Sequence, residues 1–209
     1  INYVRFMEDC IVKAAVSAYQ NARPAKIGLA IANDTGVGTN RRNPNELADH
    51  QVPVLFVKNA VTNANIACML VCSMHPTVLH EDSMLVSGDF PGMARLYLQK
   101  HVLAQTCPVL HHTGPAGNQS PRHVTKANTF DEAERLGNIL GKAVEKAISK
   151  IEFQDDLKIS IITDTIDDLP KKTFPSVENA EEKLKNAVNK LEKLRNDNAP
   201  KQEIRTAEC

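Results

Sequence analysis

Tryptophan is absent from this 209-residue chain, and Phe and Tyr together make up only 4% of it. That scarcity argues against a platform for stacking sugars or bases. Net charge is absent as well. Twenty-five basic residues balance 25 acidic ones, so no long-range field draws the chain toward nucleic acid or an anionic membrane surface. Long hydrophobic runs are missing: the longest, Ile66 to Cys72, is far shorter than a membrane-spanning helix, so no transmembrane segment is expected. The five cysteines (Cys10, Cys68, Cys72, Cys107, Cys209) are scattered, without the close pairs of a metal site. Cys68 and Cys72 share one face of a predicted strand, whose extended backbone holds them too far apart for a disulfide. Reduced core thiols in a cytoplasmic protein are therefore the expectation.

What is present is an ordinary globular composition, 42% hydrophobic and 24% charged, in a chain long enough to bury a core as one domain with or without an appendage. The chain opens at Ile1 on a helical pattern and stops at Cys209 inside another. It reads as an internal fragment whose first partner is the remainder of its own polypeptide.

Periodicity predicts the elements. Tyr3, Met7, Cys10, Ile11, Ala14, Ala15 and Ala18 share one helical face over residues 3–20, which Asn21-Ala22-Arg23-Pro24 ends. Strands are expected at 26–32, 52–58, 65–74 and 108–112, the middle two as a hairpin in a buried sheet. Pro91 opens a helix running to about Leu103, and Thr129 with Glu132 has the spacing of a capping box for a helix reaching Lys150. Leu157, Ile159, Ile161, Thr163 and Thr165 alternate as in a late strand. Past the prolines at 170 and 175, Val177, Ala180, Leu184, Ala187, Val188, Leu191 and Leu194 form a helical stripe, and Pro200 starts a second helix. The expected fold is α/β, a mixed buried sheet flanked by helices over 1–170, followed by a linker and C-terminal helical hairpin over 171–209. The hairpin stripe is expected to pack on a neighbour.

Two loops that follow strands carry reactive side chains, in the position where α/β proteins gather their sites. Cys72-Ser73-Met74-His75-Pro76-Thr77 offers an imidazole, a common zinc ligand or equally a hydrogen-bonded loop histidine. Gly114-Pro115-Ala116-Gly117-Asn118-Gln119-Ser120-Pro121 offers a hydroxyl that could bond substrate or simply cap its own turn. It is not a Gly-x-Ser-x-Gly elbow. A third loop, Thr39-Asn40-Arg41-Arg42, holds a guanidinium of fixed charge, suited to a developing oxyanion or to solvent. His111, His112 and His123 lie around the Ser120 loop, and Asp89 in Ser87-Gly88-Asp89 stands at a helix start.

These stretches together resemble the neutral/alkaline ceramidase family of zinc-dependent amidases, over roughly residues 3 to 165. His75-Pro76-Thr77 matches the family stretch that supplies one zinc ligand. Gly117-Asn118-Gln119-Ser120-Pro121 is similar to its Gly-Asp-x-Ser-Pro stretch, with Asn118 where Asp is usual. Asn40-Arg41 resembles its Asn-Arg motif, and Ser87-Gly88-Asp89 its Ser-x-Asp motif. The resemblance implies hydrolysis of an N-acyl amide, N-acylsphingosine being one candidate, with zinc held by His75, and with Arg41 and Ser120 catalytic. Asp89 and Asn118 stand in its matching stretches as supporting residues, and His123, which follows the Ser120 loop, is a further supporting candidate by position. The resemblance also implies a ligand from a His-x-His stretch, which this chain lacks, and Glu and Tyr from beyond it. Two other readings stay open: a metal-free serine hydrolase using Ser120, and a non-catalytic binding domain that has kept the fold.

Overall fold

The apolar runs either side of the Asn59–Asn65 turn pair with each other because each is rich in Val, Leu, Phe and Ile and the turn between them is polar. In a computed structural model describing residues 2–80, 82–168 and 173–208 they are β3 (Gln51–Asn59) and β4 (Asn65–Cys72), antiparallel. In chain order the other elements of the first part are α1 (Asn2–Gln20), β1 (Ala25–Asn33), β2 (Thr39–Asn40), α2 (Asp89–His101), β5 (Val109–Thr113), β6 (Gln119–Ser120) and α3 (Phe130–Ile148). The main sheet runs β1-β3-β4-β5, with β5 parallel to β4, and β2 pairs with β6 apart from it. The parallel step needs a crossover, which α2 supplies.

Side chains alternate across the strands, so every second residue of the central pair enters the core. Val52, Val54, Phe56, Cys68, Leu70 and Cys72 are buried there beneath Phe90, Ala94 and Leu98 of α2 and Ala133, Leu136, Leu140 and Val144 of α3. The two helices approach closely at Gly137 and Gly141, where an added Cβ would collide with Met93 and Tyr97. Leu29, Ile31 and Leu110 lie exposed on the strands. The α/β class, the four main-sheet strands and the helices match the expectations. Every described residue of α1 is exposed.

Two expectations change. Residues 157–165 form no strand, and Ile159, Ile161 and Ile162 stand in solvent. Alternation prepares a segment for a sheet but provides no partner. At the β1 edge, among the described residues, only Gln154 makes a bridge, to Ile27. The capping box is half formed: the Thr129 hydroxyl accepts the Glu132 amide at 3.3 Å, but the Glu132 carboxylate turns to the Lys126 amide and to Arg135 instead. Cys68 and Cys72 are both buried and free, as expected, and burial pushes the Cys68 thiol up to about 12.

The chain divides into compact units at 1–159 and 160–209. The second holds α4 (Val177–Asn196), capped by Ser176, and α5 (Lys201–Glu208). Asn198 turns between them with φ 50°, and Arg195 meets Glu208 at 2.6 Å. This is the predicted hairpin. Leu184 and Val188 of its stripe are exposed.

The Arg135 guanidinium, bonded at 2.7 and 2.8 Å, is the main reason the Glu132 carboxyl sits below its usual range. A folded-state pKa below the unfolded value stabilises the protein above the unfolded value, 4.5, and that contribution fades as pH falls through the folded one. Glu132→Gln should therefore lower stability by about 1–3 kcal/mol at pH 7. Urea unfolding of variant and native protein should converge as the pH drops below 4.5.

Candidate active site

The ends of β1, β3 and β4 and the short β2–β6 pair meet at one rim, joined largely through main chain. Leaving β4, the chain buries Ser73 and Met74 and then exposes His75, whose amide donates to the Gln119 carbonyl at 3.0 Å. Thr39 pairs with Ser120 and Asn40 with Gln119, and the Arg41 amide donates to the Asn118 carbonyl at 2.7 Å. The loops bearing His75, Ser120 and Arg41 are thus neighbours. Gly38 is what permits the approach, since a Cβ there would lie 2.7 Å from the Ser120 carbonyl oxygen and 2.6 Å from the Met74 sulfur.

Gln119 ties the rim together. Its side-chain oxygen accepts the Asp49 amide, its Nε2 donates to the Pro115 carbonyl at 2.9 Å, and its own carbonyl receives His75. Asp49 in turn accepts from the Ser73 hydroxyl at 3.3 Å. Asn40 closes the Arg41 loop, accepting the Arg42 amide at 3.0 Å and donating to the Leu47 carbonyl at 3.2 Å. Arg41 is half-buried, with no carboxylate partner among the described residues.

The supporting residues take particular places. Asp89 does not bond the His75 ring. One oxygen accepts the Val78 and Leu79 amides at 3.0 and 2.9 Å, so it clamps the segment that follows His75-Pro76-Thr77. The other accepts the Phe90 amide at 2.7 Å, and the residue sits at φ 51°, a left-handed value that Asp tolerates better than most. The Ser120 hydroxyl is buried and accepts the Arg122 amide at 3.3 Å, capping the short turn Pro121–His123. The His123 ring bonds the Arg41 carbonyl at 3.2 Å rather than Ser120, so no serine–histidine pair forms there. Asn118 is exposed and engages Arg41 through its carbonyl. His112 is exposed, whereas His111 turns edge-on to Phe90 and burial lowers its pKa, keeping the ring neutral.

The composition and motifs gave no hint of one constellation. Asp34, fully buried, bonds His50 Nδ1 at 2.7 Å and accepts from the Cys72 thiol at 3.1 Å. Its only sequence signal is Asn33-Asp34-Thr35-Gly36, an ordinary turn tetrapeptide. Burial, and then the Asp34 charge, raise the Cys72 pKa far above the thiol range, so this sulfur is a donor and not a nucleophile. Among the described residues, no three His, Cys, Asp or Glu side chains converge as a metal site. His75 alone does not satisfy a catalytic zinc, which needs about three protein ligands.

Comparison with known proteins yields structural likeness alone. No family model and no curated protein matches the chain. The neutral ceramidase of Pseudomonas aeruginosa superposes with a TM-score of 0.58 at 19% identity, over 68% of this chain and 25% of that one. A ceramidase complexed with C2 gives 0.52 at 18%, over 61% and 23%. The fold is therefore shared with these enzymes, and the chain spans about a quarter of their length.

Asp89→Ala should release the Val78 and Leu79 amides and leave Ala at a left-handed position, destabilising by about 2–4 kcal/mol. Asp89→Asn keeps an acceptor oxygen and tolerates the same φ, so the loss should be smaller. Hydrogen exchange at Val78 and Leu79 reads the clamp directly. Unaltered protection of both amides in Asp89→Ala would contradict this account.

Proposed function

We propose that this chain is part of a zinc-dependent, amidase-type hydrolase similar to neutral ceramidase, acting on an N-acyl amide of lipid-like character such as N-acylsphingosine. The observation that carries the reading is the meeting of the His75, Ser120 and Arg41 loops on a fold shared with two ceramidase structures. In this reading Arg41 faces the substrate carbonyl, where a permanent charge with several donors favours the oxyanion over the ground state. The tightly bonded Ser120 turn shapes the rim beside it, and Asp89 and His123 fix the loops rather than react. His75 is the one zinc ligand this chain brings. The remaining ligands would come from the rest of the polypeptide, which is also the partner proposed for the hairpin stripe.

The metal-free serine alternative has less support. The Ser120 oxygen is occupied by the Arg122 amide, and the nearest histidine in sequence is bonded elsewhere. The binding-domain alternative rests on Asn118 in place of a carboxylate.

Two measurements test the proposal. Zinc titrated calorimetrically into residues 1–209 should bind weakly, because one imidazole leaves the ion mostly hydrated. Submicromolar, stoichiometric binding that disappears in His75→Ala would mean the ligands are already present. With its flanking sequence restored, the protein should cleave N-acylsphingosine or a short-chain N-acyl amide, and strong chelation should abolish turnover. Arg41→Ala should lower kcat by about 10²–10³-fold, as removing an oxyanion donor does. Activity that survives chelation and fails in Ser120→Ala would favour the serine mechanism instead.

A further inference from the structure

The Asp34 side chain is 0% exposed and, among the described residues, has no Lys or Arg partner. A carboxylate so placed loses its hydration without gaining a cation, an arrangement that is costly unless its oxygens are otherwise engaged. Here both are: one meets His50 Nδ1 at 2.7 Å, the other the Cys72 thiol at 3.1 Å. The Asp34 amide also donates to the His50 carbonyl at 3.0 Å, so backbone and side chain hold the two residues in register. The His50 side chain, by contrast, is 30% exposed, and Nε2 makes no hydrogen bond among the described residues.

An acceptor-only carboxylate at Nδ1 fixes the proton there, which leaves Nε2 as the proton-accepting nitrogen of the neutral ring. A carboxylate that orients an imidazole in this way is the device of a proton-transfer dyad. The position suits the task. The neighbouring Asp49 bonds Gln119, next to Ser120, through its amide, and Ser73, two residues before His75, through its carboxylate. The titratable groups packed around the pair are Cys72 and Asp49, and the raised Cys72 pKa keeps that thiol protonated as a donor to Asp34.

We infer that His50, held by Asp34, is a proton-transfer base of this rim, with Asp34 as its positioning residue. This rests on the hydrolase reading for its natural substrate class, though not for the test below. In amide hydrolysis Nε2 takes a proton from the attacking water as the water oxygen bonds the carbonyl carbon. As the C–N bond breaks, that proton passes to the leaving nitrogen, giving acid and amine with the imidazole neutral again. With an activated ester the C–O bond breaks instead, the phenolate leaves unprotonated, and the proton goes to solvent.

The experiment pairs turnover of p-nitrophenyl acetate and a short N-acyl amide with ¹⁵N NMR of the histidine rings, on native protein, His50→Gln, His50→Ala and Asp34→Asn. The neutral His50 ring should carry its proton on Nδ1, and Asp34→Asn should mix or reverse the tautomers. Ester turnover should fall by about 10²-fold or more in His50→Gln, the usual worth of a positioned base. Added imidazole should restore part of the rate in His50→Ala, which a merely structural histidine would not allow. If Asp34→Asn fails to fold, the His50 variants decide, with their thermal unfolding measured alongside. Ester turnover that depends on His50 in a protein that has its flanking sequence restored and zinc supplied, yet is inert toward the amide, would overturn the amidase reading and sustain this one. Native-like rates in His50→Gln, loss without imidazole rescue, a proton on Nε2, or no turnover of either substrate by the native protein would each overturn it.

Discussion

Gln119 is the residue on which the geometry of the rim depends. Its carbonyl receives the His75 amide, its side-chain oxygen receives the Asp49 amide, and its Nε2 returns to the Pro115 carbonyl of its own loop. Being buried, it has no water to exchange for these partners, so each bond must be made within the protein. A single residue, through its main-chain carbonyl and its side-chain amide, thereby joins the ends of β3 and β4 to the loop that carries Ser120. Remove those bonds and three loops bearing the capable side chains lose their common anchor.

The packing beneath explains why such an anchor suffices. Phe56, Leu70 and Cys72 on the sheet are fixed against Phe90 and Leu98 of α2 and Leu136 and Leu140 of α3, and a close-packed core of this kind resists small displacements. Asp89 couples that core to the rim. It starts the helix that covers the sheet and, from the same carboxylate, holds the amides that follow the His75 loop. Gly38 plays the opposite part, supplying room rather than a bond, so that β2 can lie against Ser120 and Met74. Rigidity where the strands end and close approach where the loops meet hold the side chains of this rim in a fixed arrangement.

Locally encoded features were legible in the sequence. The hairpin of β3 and β4 follows from two β-rich runs around a polar turn, α3 from its Thr129 cap, and α4 from a stripe begun at Val177. The late strand at 157–165 failed for a reason that generalises: alternation is a property of the segment, but a strand is a property of a pair. Glu132 makes a related point. Its capping-box spacing is local, yet Arg135 and the Lys126 amide compete for the carboxylate and win it.

By itself, then, the sequence determined where helices and strands would start and which loops would carry an imidazole, a hydroxyl and a guanidinium, because caps, turns and periodicity act within a few residues. Only the tertiary structure decided which of those groups share a rim. The Gln119–Asp49 bond spans 70 positions and the Asp34–His50 pair 16, and neither leaves a pattern in the chain between its ends. Such contacts follow from strand order and register, where the free energy is spread over the whole core. A fully buried carboxylate beside a partly exposed imidazole becomes visible only once that core has closed around one of them.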